Sequence, residues 1–196
     1  ALATPKPVEQ VKQEAITAEI NWPTPFTWIE PSQIPRRKWI YGTHYISKYV
    51  SVIAAVGGAG KTSMITAEML AIITGYELLG EPVHEKANVW FINLEDPLEE
   101  MQRRIAATML HHSIKPEQVA GKLFVDAGRD IPIKFASQTR DAIITHDDLI
   151  DYMIQHIPEN NIGVVLIPPW VGANALTHPD NVAITAAVPP LRHVAA

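Results

Sequence analysis

The stretch Ala55-Val56-Gly57-Gly58-Ala59-Gly60-Lys61-Thr62 decides the fold, because it places small residues between an apolar run and a helical pattern. The run that leads into it, residues 50–56, is apolar and rich in β-branched side chains, which predicts a buried strand. Residues 61–74 carry apolar side chains at helical spacing, and Gly75 follows at a C′-like position. The sequence therefore predicts a strand, a glycine-rich turn and a helix in unbroken order.

The same stretch fits the phosphate-binding loop pattern Ala/Gly-x4-Gly-Lys-Ser/Thr, with alanine in the first place. Small residues let backbone N–H groups turn inward around phosphates, Lys61 reaches the β and γ oxygens as a point charge, and the Thr62 hydroxyl ligates Mg²⁺. A glycine-rich turn without a ligand is the alternative, but the strand before and the helix after favour the binding loop. The predicted ligands are ATP and Mg²⁺, the latter on Thr62, and the predicted nucleotide contacts are Gly57, Gly58, Ala59, Gly60, Lys61, Thr62 and Ser63.

A second motif, Leu94-Glu95-Asp96-Pro97, ends the next predicted strand, residues 88–94. A carboxylate there lies at the sheet edge of the loop, where it can polarise a water that attacks the γ-phosphate, so Glu95 is the candidate catalytic base beside Lys61. A solvated strand-end acid is the alternative interpretation of Glu95. Asp96 before Pro97 is typical of a helix N-cap with proline at N1, which makes Asp96 structural. The predicted inner face of that helix is Leu98, Met101, Ile105 and Met109.

Strand and helix patterns continue to alternate towards the C-terminus. Residues 123–125 predict a short strand, and residues 145–159 predict a helix whose Thr145 and Asp148 are spaced like a capping box. Its inner face is Leu149, Met153 and Ile157. Residues 162–167 predict a wholly apolar strand. The pattern predicts an α/β fold, a mostly parallel sheet with helices on both faces and with ligands at the carboxyl ends of the strands.

Length and composition limit the classes of protein. The 196 residues, 47% of them hydrophobic, predict one folded domain, residues 35–196, preceded by a proline-rich arm or linker, residues 1–34. The absence of cysteine excludes disulfides and Cys-based metal or redox sites. A net charge of −5 is not that of an autonomous nucleic-acid-binding domain. No apolar run has the roughly 20 residues that span a bilayer, and no signal peptide is visible, so we expect a soluble, cytoplasmic protein without membrane contact.

Together these motifs resemble the RepA-like ATPases, which are RecA/DnaB-type hexameric helicase relatives of plasmids and phages. The resemblance covers roughly residues 35–196 and depends on the glycine-rich loop, the Leu94-Glu95-Asp96-Pro97 strand end and four later features. It implies a RecA-like P-loop NTPase core, ATP hydrolysis between subunits of a homo-oligomeric ring of hexamer type, and DNA contact through that ring in replication. The later features are Glu100-x-x-Arg103-Arg104, Gly128-Arg129-Asp130, the apolar strand 162–167 and the segment from Gly172-Ala173-Asn174 to Asp180-Asn181.

Two departures from the family pattern bear on activity. The family ends its Mg²⁺-proximal strand with an aspartate, whereas Val164-Val165-Leu166-Ile167 here runs into Pro168. Pro189-Pro190 stands where the family continues a helix, and proline should kink or stop it. The chain ends at Ala196, before the next strand of the family, so we expect a domain truncated at the C-terminus. Pro168 places hydrolysis in question.

Other candidate sites carry weaker signals. His111 and His112 are neighbours without ligand spacing, which argues against a histidine metal site. Arg103 and Arg104 fit a solvated charged face better than a contact to a neighbouring subunit, and Arg129 fits a turn pairing with Asp130 as well as a nucleotide contact. Residues 169–191 hold no Lys or Arg, which argues against strong DNA contact there. Three functions stay open: a helicase-type ATPase motor, a nucleotide-binding assembly module that does not hydrolyse, and a P-loop small-molecule kinase.

Overall fold

The computed structural model of the protein describes residues 24–128, 136–138, 143–145, 147–168 and 174–175. The chain divides into two compact units, Ala1–Arg36 and Arg37–Ala196. In the first unit, the described residues hold a single turn of 3-10 helix, Pro31–Gln33, in which the Gln33 N–H donates to the Glu30 carbonyl at 2.8 Å. The boundary between arm and domain near residue 35 stays a prediction.

The second unit begins with an antiparallel pair of short strands, β1 (Trp39–Tyr41) and β2 (Tyr45–Ile46). The helix α1 (Lys61–Thr74) follows the glycine-rich stretch, as predicted. It ends because Gly75 adopts a left-handed φ of 82° and donates its N–H to the Ala71 carbonyl at 2.7 Å, the usual glycine stop signal. Every residue of α1 from Ile65 to Thr74 is buried, so this helix forms the centre of the unit.

A three-stranded parallel sheet holds β3 (Asn88–Asn93) between β4 (Leu123–Ala127) and β7 (Ile162–Leu166). Side chains of β3 alternate between its faces, since Val89 and Phe91 lie in one apolar cluster and Trp90 and Ile92 in another. Such burial on both faces is typical of parallel strands. The three predicted strands are confirmed.

Helices cover both faces of this sheet. The helices α1 and α2 (Leu98–His111) share the larger cluster with Val89 and Phe91, and the short helix α3 (Pro116–Val119) packs at its margin. On the other face, α4 (Asp147–Glu159) packs through Ile150 and Met153, with Leu149 and Ile157 partly buried. The fold is α/β with a parallel sheet between helices, consistent with a RecA-like P-loop core, as the sequence predicted.

A second small sheet was not predicted. It pairs β5 (Ala136–Gln138) antiparallel with β6 (Ile143–Thr145) and parallel with β8 (Asn174–Ala175). These strands have only two or three residues, which is too short for a periodicity to be read from the sequence.

The predicted strand at residues 50–56 is wrong, because the segment forms no strand. It pairs with none of the described strands, and Val52 and Val56 are 68% and 79% exposed. A β-branched sequence favours extended backbone, but a strand also requires a neighbour that exchanges backbone hydrogen bonds with it. Ile53 is the exception within the segment, since it packs against the larger cluster.

Two predicted helix starts are also wrong. The residue that precedes α2 is Pro97, without a side-chain cap, so Asp96 does not cap the helix. Thr145 is the last residue of β6, and α4 begins at Asp147, so Thr145 cannot begin a capping box with Asp148. Both residues fitted a cap by their local sequence. In the structure Thr145 is part of strand β6, and the Asp96 carboxylate accepts a hydrogen bond from Asn93 instead.

Candidate nucleotide-binding site

The glycine-rich loop, residues 55–60, leads directly into the first turn of α1. Gly58 and Gly60 have left-handed φ values of 74° and 83°, a conformation that side-chain-bearing residues adopt only with strain. A Cβ built at Gly57, Gly58 or Gly60 meets no heavy atom within 4 Å. The space beside each of these three glycines is therefore open.

The Lys61 ammonium folds back over this loop. Its Nζ donates to the carbonyl oxygens of Ala55 at 2.7 Å and Val56 at 2.9 Å. Both acceptors are neutral and exposed to solvent, so a charged phosphate oxygen offers the ammonium a stronger hydrogen bond than either carbonyl. The side chain is thus held close to the loop and free to exchange its partners.

The first turn of α1 supplies the remaining groups for a phosphate and its metal ion. The Thr62 hydroxyl makes no hydrogen bond among the described residues, and Ser63 is exposed. No side chain caps this helix end, so its first N–H groups and its partial positive charge remain for an anion. The open loop, the free hydroxyl and the exchangeable lysine fit a nucleotide phosphate chain with Mg²⁺ on Thr62.

The carboxyl ends of three parallel strands meet at one edge of the sheet. The Gly128 N–H, just after β4, donates to the Asn93 carbonyl at 2.7 Å, and the Leu94 N–H donates to the Pro168 carbonyl at 3.0 Å. A Cβ at Gly128 would lie 2.9 Å from the Leu94 Cα, so this close approach requires glycine. The ends of β3, β4 and β7 are therefore hydrogen-bonded to one another at the edge predicted to bind ligands, and Glu95 follows directly after the end of β3.

Glu95 is exposed, and its carboxylate has no hydrogen-bond or ion-pair partner among the described residues. Its backbone N–H donates to the side-chain oxygen of Asn93 at 2.9 Å. The predicted base, Glu95, is thus exposed to solvent, and its position is fixed by the hydrogen bond of its backbone N–H to Asn93. Sequence reasoning missed Asn93, although an asparagine at a strand end before polar residues is a recognisable turn signal.

Asp96 has a different role from the predicted helix cap. Its carboxylate accepts a hydrogen bond from the Asn93 side-chain nitrogen at 3.1 Å and lies 3.3 Å from the Arg104 guanidinium. Arg104 also donates to Glu100 at 2.9 Å, and this bond is the largest cause of the raised pKa of Arg104 and of the lowered pKa of Glu100. Asp96 therefore ties the turn after β3 to helix α2.

Of the remaining residues that the sequence analysis singled out, some are described by the structure and others are not. Arg103 is 67% exposed and pairs with Glu99 at 3.0 Å, as a solvated charged face requires. His111 and His112 pack edge to face, with ring centroids 4.7 Å apart. Arg129, Asp130 and the segments 172–173 and 180–190 lie outside the described residues.

A buried polar cluster on α1 is a further feature that the sequence did not indicate. Glu68 is only 4% exposed, and its carboxylate accepts a hydrogen bond from the Tyr45 hydroxyl at 2.9 Å and lies 3.0 Å from His44 Nε2. This cluster joins β2 to the middle of α1. From the sequence alone, Glu68 is a single charged residue in an otherwise apolar helix. Its burial is explained by its hydrogen-bond partners, Tyr45 and His44.

One known protein family matches almost the entire chain. A family model described as an AAA domain (AAA_25) matches residues 15–196, and no curated protein matches the chain. Among the described residues, no helix combines the length and apolarity required to cross a membrane. The match covers the glycine-rich loop, the parallel sheet and the strand-end turn together. Since it extends over nearly the whole chain, this protein belongs to the AAA domain family and is a nucleotide-binding domain of ATPase type.

Proposed function

We propose that this chain binds ATP with Mg²⁺ and hydrolyses it as the motor domain of a RepA-like replicative helicase or DNA-replication ATPase. The observation that carries the proposal is the position of the Lys61 ammonium, which donates to the carbonyls of Ala55 and Val56. These carbonyls belong to a glycine-rich loop whose Gly58 and Gly60 have left-handed φ values. That arrangement supplies a cation and the backbone donors of the loop for a triphosphate, among which the Ala59 N–H would exchange its 3.4 Å bond to the Val56 carbonyl for a phosphate oxygen.

Each site residue then has a distinct task. Gly57 to Gly60 surround the phosphates with N–H groups, Lys61 neutralises the terminal oxygens, and Thr62 and Ser63 supply the first turn of α1. Mg²⁺ would be held by the Thr62 hydroxyl, and when bound it draws charge from the phosphate oxygens. Glu95 accepts a hydrogen bond from the attacking water and orients it, a role that requires an unpaired carboxylate.

The orientation of α1 supports a shared site. The Ala87 N–H donates to the Ile72 carbonyl at 3.4 Å, so the last turn of α1 lies beside the amino end of β3. A helix of 14 residues is about 20 Å long, close to the length of a six-residue strand. We therefore expect the first turn of α1, with Lys61, to be directed towards the carboxyl edge that carries Glu95.

Ring assembly and DNA contact are the parts of this proposal that depend on resemblance. The RepA-like pattern implies a homo-oligomeric ring of hexamer type, and DNA would be bound by the assembled ring. The net charge of −5 favours contacts made by few local cations over a broad basic surface. DNA binding should then depend on assembly, and its salt dependence should increase with the number of subunits that contribute phosphate contacts.

A second function has one specific observation in its favour. The chain has Pro168 where the resemblance places an aspartate, and the Pro168 carbonyl is already occupied by the Leu94 N–H. Proline offers no carboxylate to anchor a water on Mg²⁺. A nucleotide-binding assembly module that holds ATP without turnover is therefore the alternative.

An ATPase assay with and without single-stranded DNA separates these functions. Turnover that DNA stimulates supports the motor. ATP binding without turnover supports the assembly module. Phosphate transfer to a metabolite, unaffected by DNA, would contradict both and support a kinase.

A further inference from the structure

Asn93, the last residue of β3, has a buried amide that makes three hydrogen bonds to the residues just after it. Its Oδ1 accepts the N–H groups of Glu95 at 2.9 Å and Asp96 at 3.0 Å, and its Nδ2 donates to the Asp96 carboxylate at 3.1 Å. Asn93 is only 2% exposed. A buried amide needs such partners, and here all three belong to the turn that carries Glu95.

The backbone from which this turn begins is held on both sides. The Asn93 carbonyl accepts the Gly128 N–H at 2.7 Å, and the next residue, Leu94, donates to the Pro168 carbonyl at 3.0 Å. The chain at Asn93 and Leu94 therefore lies fixed between the two outer strands. The amide of Asn93 extends this fixed geometry by two residues, to Glu95.

The charges around the turn leave the Glu95 carboxylate free. Five of the six charged side chains in residues 95–104 form ion pairs, and Glu95 is the exception within the described part of the chain. Both arginines are occupied, since Arg103 contacts Glu99 and Glu100, and Arg104 contacts Asp96 and Glu100. The cations closest in sequence thus form their ion pairs with other acids, while the Glu95 charge contributes only at longer range to the raised pKa of Arg104.

We propose that Asn93 is a positioning residue, which holds the Glu95 backbone so that its carboxylate stays unpaired and directed at the water that attacks bound ATP. This inference rests on the proposed function and deepens it. In this role Asn93 acts through the backbone of the turn and needs no contact of its own with nucleotide or water. Because small displacements of a catalytic group have large effects on rate, a side chain that fixes its backbone is expected to affect turnover but not binding.

Asn93→Leu tests the proposal, since leucine has the same number and branching of side-chain heavy atoms as asparagine and makes none of the three hydrogen bonds. We expect kcat for ATP hydrolysis to fall by about 10- to 100-fold, with unchanged KM and unchanged affinity for a fluorescent ATP analogue. The double variant Asn93→Asp with Asp96→Asn exchanges carboxylate and amide. It keeps the two bonds in which residue 93 accepts backbone N–H groups and reverses donor and acceptor only in the bond between the two side chains. It should recover most of the lost turnover.

Two further measurements separate positioning from a general structural role. In a Glu95→Gln background, Asn93→Leu should cause no additional loss of kcat. An additional loss as large as in the unmodified background would show that Asn93 acts independently of Glu95 and would overturn the inference. Thermal unfolding of each variant shows whether the fold is kept, and the double variant provides the test if Asn93→Leu does not fold.

Hydrogen exchange of the Glu95 and Asp96 amides tests the geometry without any activity. Exchange should become faster in Asn93→Leu and slow again in the double variant. Unchanged exchange would overturn the inference whatever the turnover. An unmodified chain that binds ATP and does not hydrolyse it would contradict the proposed function instead, and the exchange result would then decide whether Asn93 fastens the turn.

Discussion

The backbone N–H of Leu94 donates to the carbonyl oxygen of Pro168 at 3.0 Å. This bond extends the pairing of β3 and β7 beyond the last residue of each strand and sets Pro168 beside the turn that carries Glu95. The position at which the RepA-like pattern has a carboxylate is therefore next to the proposed base. Pro168 lacks a carboxylate, while its carbonyl still pairs the two strands.

Pro168→Asp should increase ATP turnover. The aspartate keeps the carbonyl that binds the Leu94 N–H and adds a carboxylate that can anchor a water on Mg²⁺. One preorganised electrostatic contact is worth about 10²- to 10³-fold in rate. The measurement is kcat at saturating Mg²⁺, with Pro168→Asn as the uncharged control. Fast turnover by the Pro168 protein itself would show that another acid, Glu95 or Asp96, already holds the metal.

Lys61→Ala should weaken ATP binding, because the phosphates lose the cation that folds over the loop. A charge-assisted hydrogen bond is worth about 1.5–3 kcal/mol, which corresponds to roughly 10- to 100-fold in Kd. Calorimetric titration with ATP·Mg²⁺ measures it. Lys122→Ala is the matched control, since Lys122 also donates to a backbone carbonyl, that of Gln118 at 3.3 Å. Equal ATP affinity in the Lys61→Ala and unmodified proteins would refute a P-loop site.

Glu95→Gln should keep ATP binding and lose hydrolysis, since glutamine has nearly the same shape and cannot take up a proton. Loss of a general base costs about 10²- to 10⁴-fold in rate. Steady-state kinetics and a binding titration provide the two readouts. Glu99→Gln, which removes an exposed carboxylate from the same segment, should leave kcat unchanged. An unaltered kcat in Glu95→Gln would remove Glu95 from the mechanism.

Tyr41→Phe should stabilise the fold. Tyr41 is fully buried, and its hydroxyl has no hydrogen-bond partner in the part of the chain that the structure describes. Leaving such a group unsatisfied costs about 1–3 kcal/mol, so its removal should raise the free energy of unfolding in urea by about 1 kcal/mol. Tyr45→Phe is the matched comparison and should destabilise the fold, because the Tyr45 hydroxyl donates to buried Glu68. A less stable Tyr41→Phe protein would mean that the hydroxyl has a partner in solution.

Alkaline pH should destabilise the fold through the same tyrosines. Burial, then the charges of Glu68 and Glu81, raise the pKa of Tyr41 from 10.0 to about 12, and burial also raises the pKa of Tyr45. Below pH 10 both states keep the Tyr41 proton and the stabilisation is complete. Between pH 10 and 12 only the unfolded chain releases it, so the free energy of unfolding falls as pH rises, by roughly 2 kcal/mol for Tyr41. Urea titrations across this range should show a smaller fall in Tyr41→Phe; an identical fall would contradict the assignment.

The sequence by itself determined the elements whose signals are local. Helix α1 was predicted with both bounds because its period, its buried face and Gly75 are contained in 15 consecutive residues. The apolar strands β3, β4 and β7 and the glycine loop were predicted in the same way. The family resemblance likewise came from short motifs, and it is confirmed to the level of an AAA domain.

Only the tertiary structure decided which polar residues serve these elements. Asp96 fitted a helix cap locally, yet Asn93 and Arg104 hold it elsewhere. Glu68 is buried because Tyr45, 23 residues away, donates to it. Residues 50–56 have the composition of a strand but pair with none of the described strands. The physical reason is common to all three: a side chain or a strand edge is satisfied by partners distant in sequence, and local patterns carry no information about which partner the folded chain brings near.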